Sequence, residues 1–327
     1  MTPLGANLDL TSRKSVADDA QNVAVEGEAH ASSDSIEDQS LATTPSPQAP
    51  SAAIEFLNRM GLVNKMAPVR ALNAEMRQEH PQLDELYNQI EASPDITKRF
   101  LKFANSSWFN SRIQVDSPMM AFSRFGTAGF FRLVVATYLQ DSIGELSTKF
   151  RIWPHLEWSA RAGEMMAQQL APKYIYEIFG ASILHDAVVP PMQRELQDYL
   201  YFLECALGID PVVTGLETNC HGFDHAQAAA EFASALDFDP CVVEAIRAHH
   251  NESMSSVPEG DSRIVASLLH ATKRALAIAR AQRKTAFESP AEKNLLREMA
   301  DALGCSTGRI VNAISDVVES LHLPAAA

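Results

Sequence analysis

Apolar residues along this chain recur at helical spacing and almost never alternate. From Ser51, a short amphipathic run of Ile54, Leu57 and Met60 stops at Gly61, and further periodic stretches cover 69–79 and 83–90. Ser93, Pro94 and Asp95 then spell a helix start: a capping residue, a proline in the first turn and an acid beside it. Ile96, Phe100, Phe103 and Ala104 follow on one face. This helix is expected to end in FANSSWF, where Asn105 and Ser106 have side chains suited to the freed carbonyls.

The pattern continues in the same style. Residues 121–125 predict a short helix stopped by Gly126, and 130–139 a very apolar one buried nearly all round. Pro154 is expected to open a helix through Leu156, Ala160, Gly163, Ala167 and Leu170, whose small residues imply close packing. The apolar segment 179–187 is closed by Pro190-Pro191, and a helix over 192–207 is expected next. Asp224 reads as the N-cap of HAQAAAEFASAL, with Phe223 as a hydrophobic staple. CVVEAIRAHH, a long helix over 263–286 and a final pair over 291–303 and 306–321 complete the chain. No strand alternation persists, so the expected fold class is all-α, a multi-helix bundle.

Residues 1–50 break the pattern. They are rich in Ala, Ser, Thr, Asp and Glu and end in TTPSPQAPS. With so little apolar surface to offset ordering entropy, this segment is expected to be a disordered acidic leader. The expected organisation is therefore 1–50 as leader and 51–327 as helical domain, with a core over 51–285 and a closing helical pair over 286–323.

Composition narrows the function. The 327 residues are 46% hydrophobic, enough for a sizeable core, and carry a formal net charge of -14. That charge argues against sequence-independent nucleic-acid binding and against an anionic membrane surface. Cys205, Cys220, Cys241 and Cys305 show no CxxC spacing and read as reduced core or near-core thiols of a cytoplasmic protein. No apolar run approaches the roughly 18 residues of a membrane span. P-loop, GxSxG and spaced Cys/His zinc patterns do not occur. The basic stretch 273–284, KRALAIARAQRK, is expected to be the solvated face of a long helix.

The chemistry concentrates in FGASILHDAVVPP, which carries His185 and Asp186 into an apolar setting. A buried imidazole and carboxylate need partners or a metal ion. Either the pair ligates one divalent cation together with histidines elsewhere, or it is a polar plug satisfied by its surroundings.

Four pieces in order carry a family resemblance: PDITKRFLKFANSSWFN with the later AFSRFG, the Trp-containing helix start at 153–160, FGASILHDAV, and FDHAQAAAEFA followed by VVEAIRAHH. Together they resemble the HDOD domain, the bacterial HD-related output domain, an all-helical relative of the HD and HD-GYP metal-dependent phosphohydrolases. The resemblance implies an HD-like helical bundle and a role in signal output, exercised through protein contacts more often than through hydrolysis.

Measured against the hydrolases, the site is incomplete. The first histidine is His155 in one register, while in the other Trp158 takes the position and no ligand remains. The helix after the paired histidines offers His270 and Thr272 but no closing carboxylate, Ala187-Val188-Val189 replaces the glycine and lysine that follow the pair in active relatives, and HHNESMSSVPEG lacks the Gly-Tyr-Pro motif. His225, His249 and His250 fall where related domains place metal-binding histidines. Adjacent helical residues point about 100° apart, so at most one of His249 and His250 is expected to face His225. His221, separated from His225 by Gly222 and the Asp224 cap, is expected to stay outside. The resulting expectation is a non-catalytic regulatory scaffold with a protein partner in a signalling pathway. It has no catalytic residue and no cofactor, with His155, His185, Asp186, His225, His249 and His250 as the metal-ligand candidates. The alternative is a divalent-metal phosphohydrolase acting on a nucleotide or cyclic dinucleotide.

Overall fold

The computed structural model describes residues 51–321 except 80, 107, 110–112, 144–151, 197, 198, 200–209 and 282–286. The expected leader, and Cys205, lie outside the described residues. All described residues fall in one unit, Ala49–Ala327, and no strand occurs among them.

The amino-terminal part is a run of short helices, α1 (Ala52–Met60), α2 (Leu62–Lys65), α3 (Ala67–Met76), α4 (Asp84–Ala92) and α5 (Pro94–Ala104). Ser51 caps α1 by accepting from the Ile54 N–H, and Gly61 ends it with φ 64°, a left-handed conformation that costs a Cβ-free residue little. Ser93 stands at the N-cap of α5, but its side chain makes no capping bond there. At the other end Asn105 does what its type suggests: Nδ2 donates to the Leu101 and Val115 carbonyls, and Oδ1 accepts from the Val115 N–H.

Helix α6 (Pro118–Ile143) breaks at Gly126, whose φ 67° and ψ -173° are not helical. Beyond the break the helix is buried on most of its circumference, Leu133 to Ala136 being fully enclosed. Next come α7 (Ile152–Leu170), a single 3-10 turn, α8 (Ile175–Leu184) and α9 (Val189–Glu195). Pro190 and Pro191 sit in the first turn of α9, where their missing N–H groups have no helical partner to lose, so they begin a helix as well as end the previous segment. This helix stops at Glu195, short of the 192–207 span expected from periodicity; most of the remainder lies outside the described residues.

The carboxy-terminal half comprises α10 (Asp210–His221), α11 (His225–Ala235), α12 (Pro240–Arg247), α13 (Asp261–Ala281), α14 (Pro290–Leu303) and α15 (Thr307–Ser320). Asp224 caps α11 by accepting from the Gln227 N–H, and Ser289 and Glu292 form a reciprocal capping box on α14. Cys241 is buried and Cys305 partly so, but Cys220 is exposed, contrary to the core or near-core position expected for it.

Helices α7, α8, α12 and α13 pack on one another and form the centre of the molecule. The approach of α7 to α8 depends on Gly163: a Cβ there would overlap Ser182 Oγ and press on Ile178. Phe238 closes on Gly180 of α8 in the same way from the α11–α12 connection. The site lies where these helices meet.

Candidate metal centre

His185 is the C-cap of α8 and Asp186 follows it in a turn, so the pair leaves the helix at its carboxyl end. His185 is fully buried. Asp186 keeps 20% of its side chain accessible and is less enclosed than a core plug would be. Its Oδ2 lies 3.1 Å from His185 Nε2 and 2.9 Å from His155 Nε2. His155 projects from the first turns of α7, while Trp158 turns aside and stacks under Arg161. The register question of the first histidine is thereby resolved in favour of His155.

The other carboxylate oxygen serves a second group. Asp186 Oδ1 stands 3.5 Å from both His225 Nε2 and His249 Nε2, and His250 Nε2 is 2.7 Å from His225 Nε2. Both His249 and His250 face the site, which corrects the expectation that only one could. The 100° argument holds inside a helix, but α12 ends at Arg247 with Ala248 as its C-cap, and both histidines follow in the turn. That turn is fixed from α13: His270 Nε2 lies 3.0 Å from the Ala248 carbonyl and Lys273 Nζ donates to the His249 carbonyl at 2.8 Å. Among the described residues, two groups of side chains that could hold a metal ion thus share one carboxylate: His155, His185 and Asp186, and Asp186, His225, His249 and His250.

Every imidazole turns Nε2 inward and has a partner on Nδ1. His185 Nδ1 donates to the Ser182 carbonyl at 2.9 Å and His249 Nδ1 to the Ile246 carbonyl at 2.6 Å. His225 Nδ1 donates to Glu217 Oε2 at 2.7 Å, and the same oxygen accepts the His225 backbone N–H. Glu217 is fully buried, its other oxygen accepting from Tyr199 Oη at 2.6 Å. The two remaining partners are cations: Lys273 Nζ is 3.5 Å from His250 Nδ1, and Arg280 Nη2 donates to His155 Nδ1 at 2.7 Å. Lys273 and Arg280 belong to the basic stretch expected to be only a solvated face, and Glu217 was not singled out. A single hint preceded Glu217, an acid eight residues before His225 on an amphipathic segment; for the two cations nothing but their spacing on one helix face was available.

These contacts set the charges. Burial works to raise the Asp186 pKa, but the imidazoles gathered round it, His185 first and then His155 and His249, outweigh burial and hold the carboxyl well below the usual range. Burial lowers His155 to about 4 despite Asp186. Burial, reinforced by Lys273, keeps His249 neutral, its pKa well below the ordinary value. His250 is lowered by burial and then by His249 and Lys273. For His225 burial is opposed and exceeded by the bond and charge of Glu217, so its pKa rises.

The donor set fits a divalent cation. Neutral His249, with its proton on Nδ1, turns a bare Nε2 lone pair toward a carboxylate oxygen, itself an acceptor, and that nitrogen has no hydrogen-bond partner. A cation relieves that conflict, and tethered imidazoles around a carboxylate are the ligand chemistry that zinc, manganese or iron accepts.

Solved structures share this all-α fold. A candidate phosphohydrolase from Shewanella amazonensis matches with TM-score 0.58 at 19% identity, covering 81% of this chain and 94% of that one. An HDOD domain protein of unknown function from Geobacter sulfurreducens matches with TM-score 0.56 at 14% identity, over 83% and 98% of the two chains. A candidate signal transduction protein from Marinobacter aquaeolei matches with TM-score 0.57 at 17% identity, over 82% of this chain and 61% of that one. No curated protein matches the chain. The HDOD domain family is matched over residues 66–252, and the chain belongs to that family. The match contains all six candidate ligands; Lys273 and Arg280 lie beyond it.

Proposed function

We propose that the protein is a regulatory HDOD domain that holds a divalent metal ion in its core and acts on a protein partner by contact, without turnover. The observation that carries the metal is the bare, fully buried Nε2 of His249 aimed at Asp186. Family membership and the Marinobacter relative described as a candidate signal transduction protein support the regulatory role. Absence of turnover is supported by the surroundings. Ala187 and Val188, directly after the His-Asp pair, are fully buried and apolar, and α13 offers Lys273 and Arg280 to the site where hydrolases use a carboxylate. Elemental analysis of the purified protein tests the metal, with a stoichiometric ion expected and its absence overturning the reading. An assay with nucleotides and cyclic dinucleotides in Mn²⁺ or Mg²⁺ tests the rest, with no hydrolysis expected.

A second reading, a phosphohydrolase acting on those substrates, is favoured by the shared carboxylate. Two ligand sets on one Asp are the arrangement of a two-metal clamp, in which bound cations polarise phosphoryl oxygens and activate water. Metal-dependent turnover that disappears in His185→Ala would establish this reading in place of the first.

A further inference from the structure

The segment that carries the first piece of the family resemblance takes no part in the metal centre, and it departs from the rest of the chain in charge and exposure. Over 94–126 the sequence has Lys98, Arg99, Lys102, Arg112 and Arg124 against Asp95 and Asp116, in a chain whose net charge is -14. Arg99 is held by Asp141 at 3.3 Å. Lys98, Lys102 and Arg124 are exposed and form no ion pair or hydrogen bond among the described residues. Ile113 and Met119, 57% and 49% exposed, are the two most exposed large hydrophobic side chains among those residues. Between these two in sequence the chain lines a groove of about 590 Å³, to which α5 contributes Lys98, Leu101 and Lys102 and the following segment Gln114, Val115 and Asp116. Asn105 ties the two walls together, bonding to the Leu101 carbonyl on one side and to both backbone groups of Val115 on the other. The groove is therefore formed before anything enters it, which spares a ligand the cost of ordering it.

We propose that this groove, with Ile113 and Met119 beside it, is the surface through which the protein contacts its partner, and that it takes an acidic segment of another protein bearing a large apolar side chain. The inference rests on the contact reading above and adds to it the face used and the chemistry of the partner. Lys98 and Lys102 are four residues apart on α5 and so share one face of the helix, where they offer two unpaired cations to carboxylates. Leu101 is half-buried and Val115 fully buried, so the floor between the charges is apolar and suits a side chain that leaves water. A nucleic acid fits less well, because Asp116 lines the same groove and repels phosphates, and an exposed isoleucine and methionine gain nothing from a phosphate chain.

The test selects random short peptides, displayed on phage, against the full-length protein, and titrates the recovered peptides as synthetic probes by fluorescence anisotropy. Peptides that combine Asp or Glu with a large apolar residue are expected. Their affinity is expected to fall at least about tenfold in Lys98→Glu/Lys102→Glu, where attraction becomes repulsion, to fall also in Ile113→Ser/Met119→Ser, and to weaken with salt in wild type. All four side chains are exposed, so both variants are expected to match wild type in circular dichroism and metal content. Failure to recover any peptide, recovery of peptides without acids, or acidic peptides whose affinity both variants leave unchanged overturns the assignment of this face. The contact reading is decided separately by the turnover assay, in which hydrolysis would remove it whatever the peptides do. Tighter binding of a single-stranded oligodeoxythymidine than of any selected peptide, lost in the lysine variant, would make the groove a nucleic-acid site and overturn the proposal.

Discussion

Glu217 Oε2 accepts both the backbone N–H and the Nδ1–H of His225, at 2.9 and 2.7 Å, so one carboxylate oxygen fixes the position and the tautomer of that histidine. The contact spans from α10 to the first residue of α11 and is enclosed on all sides. It is the strongest outer support in the site, because its acceptor is charged.

Replacing that charge without changing size should weaken the metal site and spare the fold. Glu217→Gln retains an oxygen acceptor for His225 but loses the negative charge that makes the imidazole a better ligand. Outer-partner losses of this kind reduce metal affinity about 10- to 100-fold. Competition with a chelator of known affinity measures it, and an unchanged dissociation constant would mean that His225 is not a ligand.

Gly163→Ala should strain the junction that brings His155 toward His185. The added methyl would overlap Ser182 Oγ, and Ser182 is also the residue whose carbonyl accepts the His185 Nδ1–H. Overpacking at such a contact costs about 1–3 kcal/mol. The urea midpoint is expected to fall accordingly, and an unaltered midpoint would show that α7 and α8 have slack there.

Glu292 should contribute to the acid limb of the stability curve. Backbone hydrogen bonds from Ser289 and then Glu288 outweigh burial and, with Arg274, lower its pKa to about 2. A carboxyl whose folded pKa is depressed binds fewer protons in the folded state, so its stabilising contribution is present above the unfolded value and disappears as pH falls toward 2. Glu292→Gln is therefore expected to flatten the decline below the ordinary glutamate range and to leave the alkaline side unchanged. Because the group is partly exposed, screening makes the effect small, and thermal melts in low salt are the appropriate measurement. An identical acid limb in the variant would rule out the capping-box carboxylate as its source.

Most of the fold was legible because its signals are local. Gly61 and Gly126 interrupt helices, Asp224 begins one, and the 3.6-residue period identifies buried faces without knowledge of the partner. His185 and Asp186 were legible as residue types with unusual chemistry in an apolar segment, and His155, His225, His249 and His250 became candidates only through the resemblance. Their convergence was not legible. Whether His155 or Trp158 faced inward depended on the rotation of α7 against α8, set by Gly163 and Ser182. Whether His249 and His250 could both do so depended on where α12 ended, which Lys273 and His270 help to fix from a different helix. Glu217, Lys273 and Arg280 were obscure because ordinary charged residues on helices are usually solvated, and only tertiary packing turns them toward a site.

The shared carboxylate makes the last prediction the most discriminating. Asp186 belongs to both ligand sets, whereas His155 belongs only to the half contacted by Arg280, and His250 only to the other. Asp186→Asn keeps the shape but removes the charge that attracts the cation, and should abolish tight binding altogether. His155→Ala and His250→Ala each remove a nitrogen from one set only and should weaken binding without abolishing it. The difference is also visible in stability, since an ion that binds only the folded chain stabilises it by about 2.7 kcal/mol at 100 times its dissociation constant. Added Mn²⁺ or Zn²⁺ should then raise the melting temperature of wild type most, raise that of His155→Ala and His250→Ala less, and leave that of Asp186→Asn where it was. Circular dichroism checks that all four proteins are folded. If the metal raised the melting temperature of Asp186→Asn as far as that of wild type, the two groups would not meet on this carboxylate and the assignment would fail.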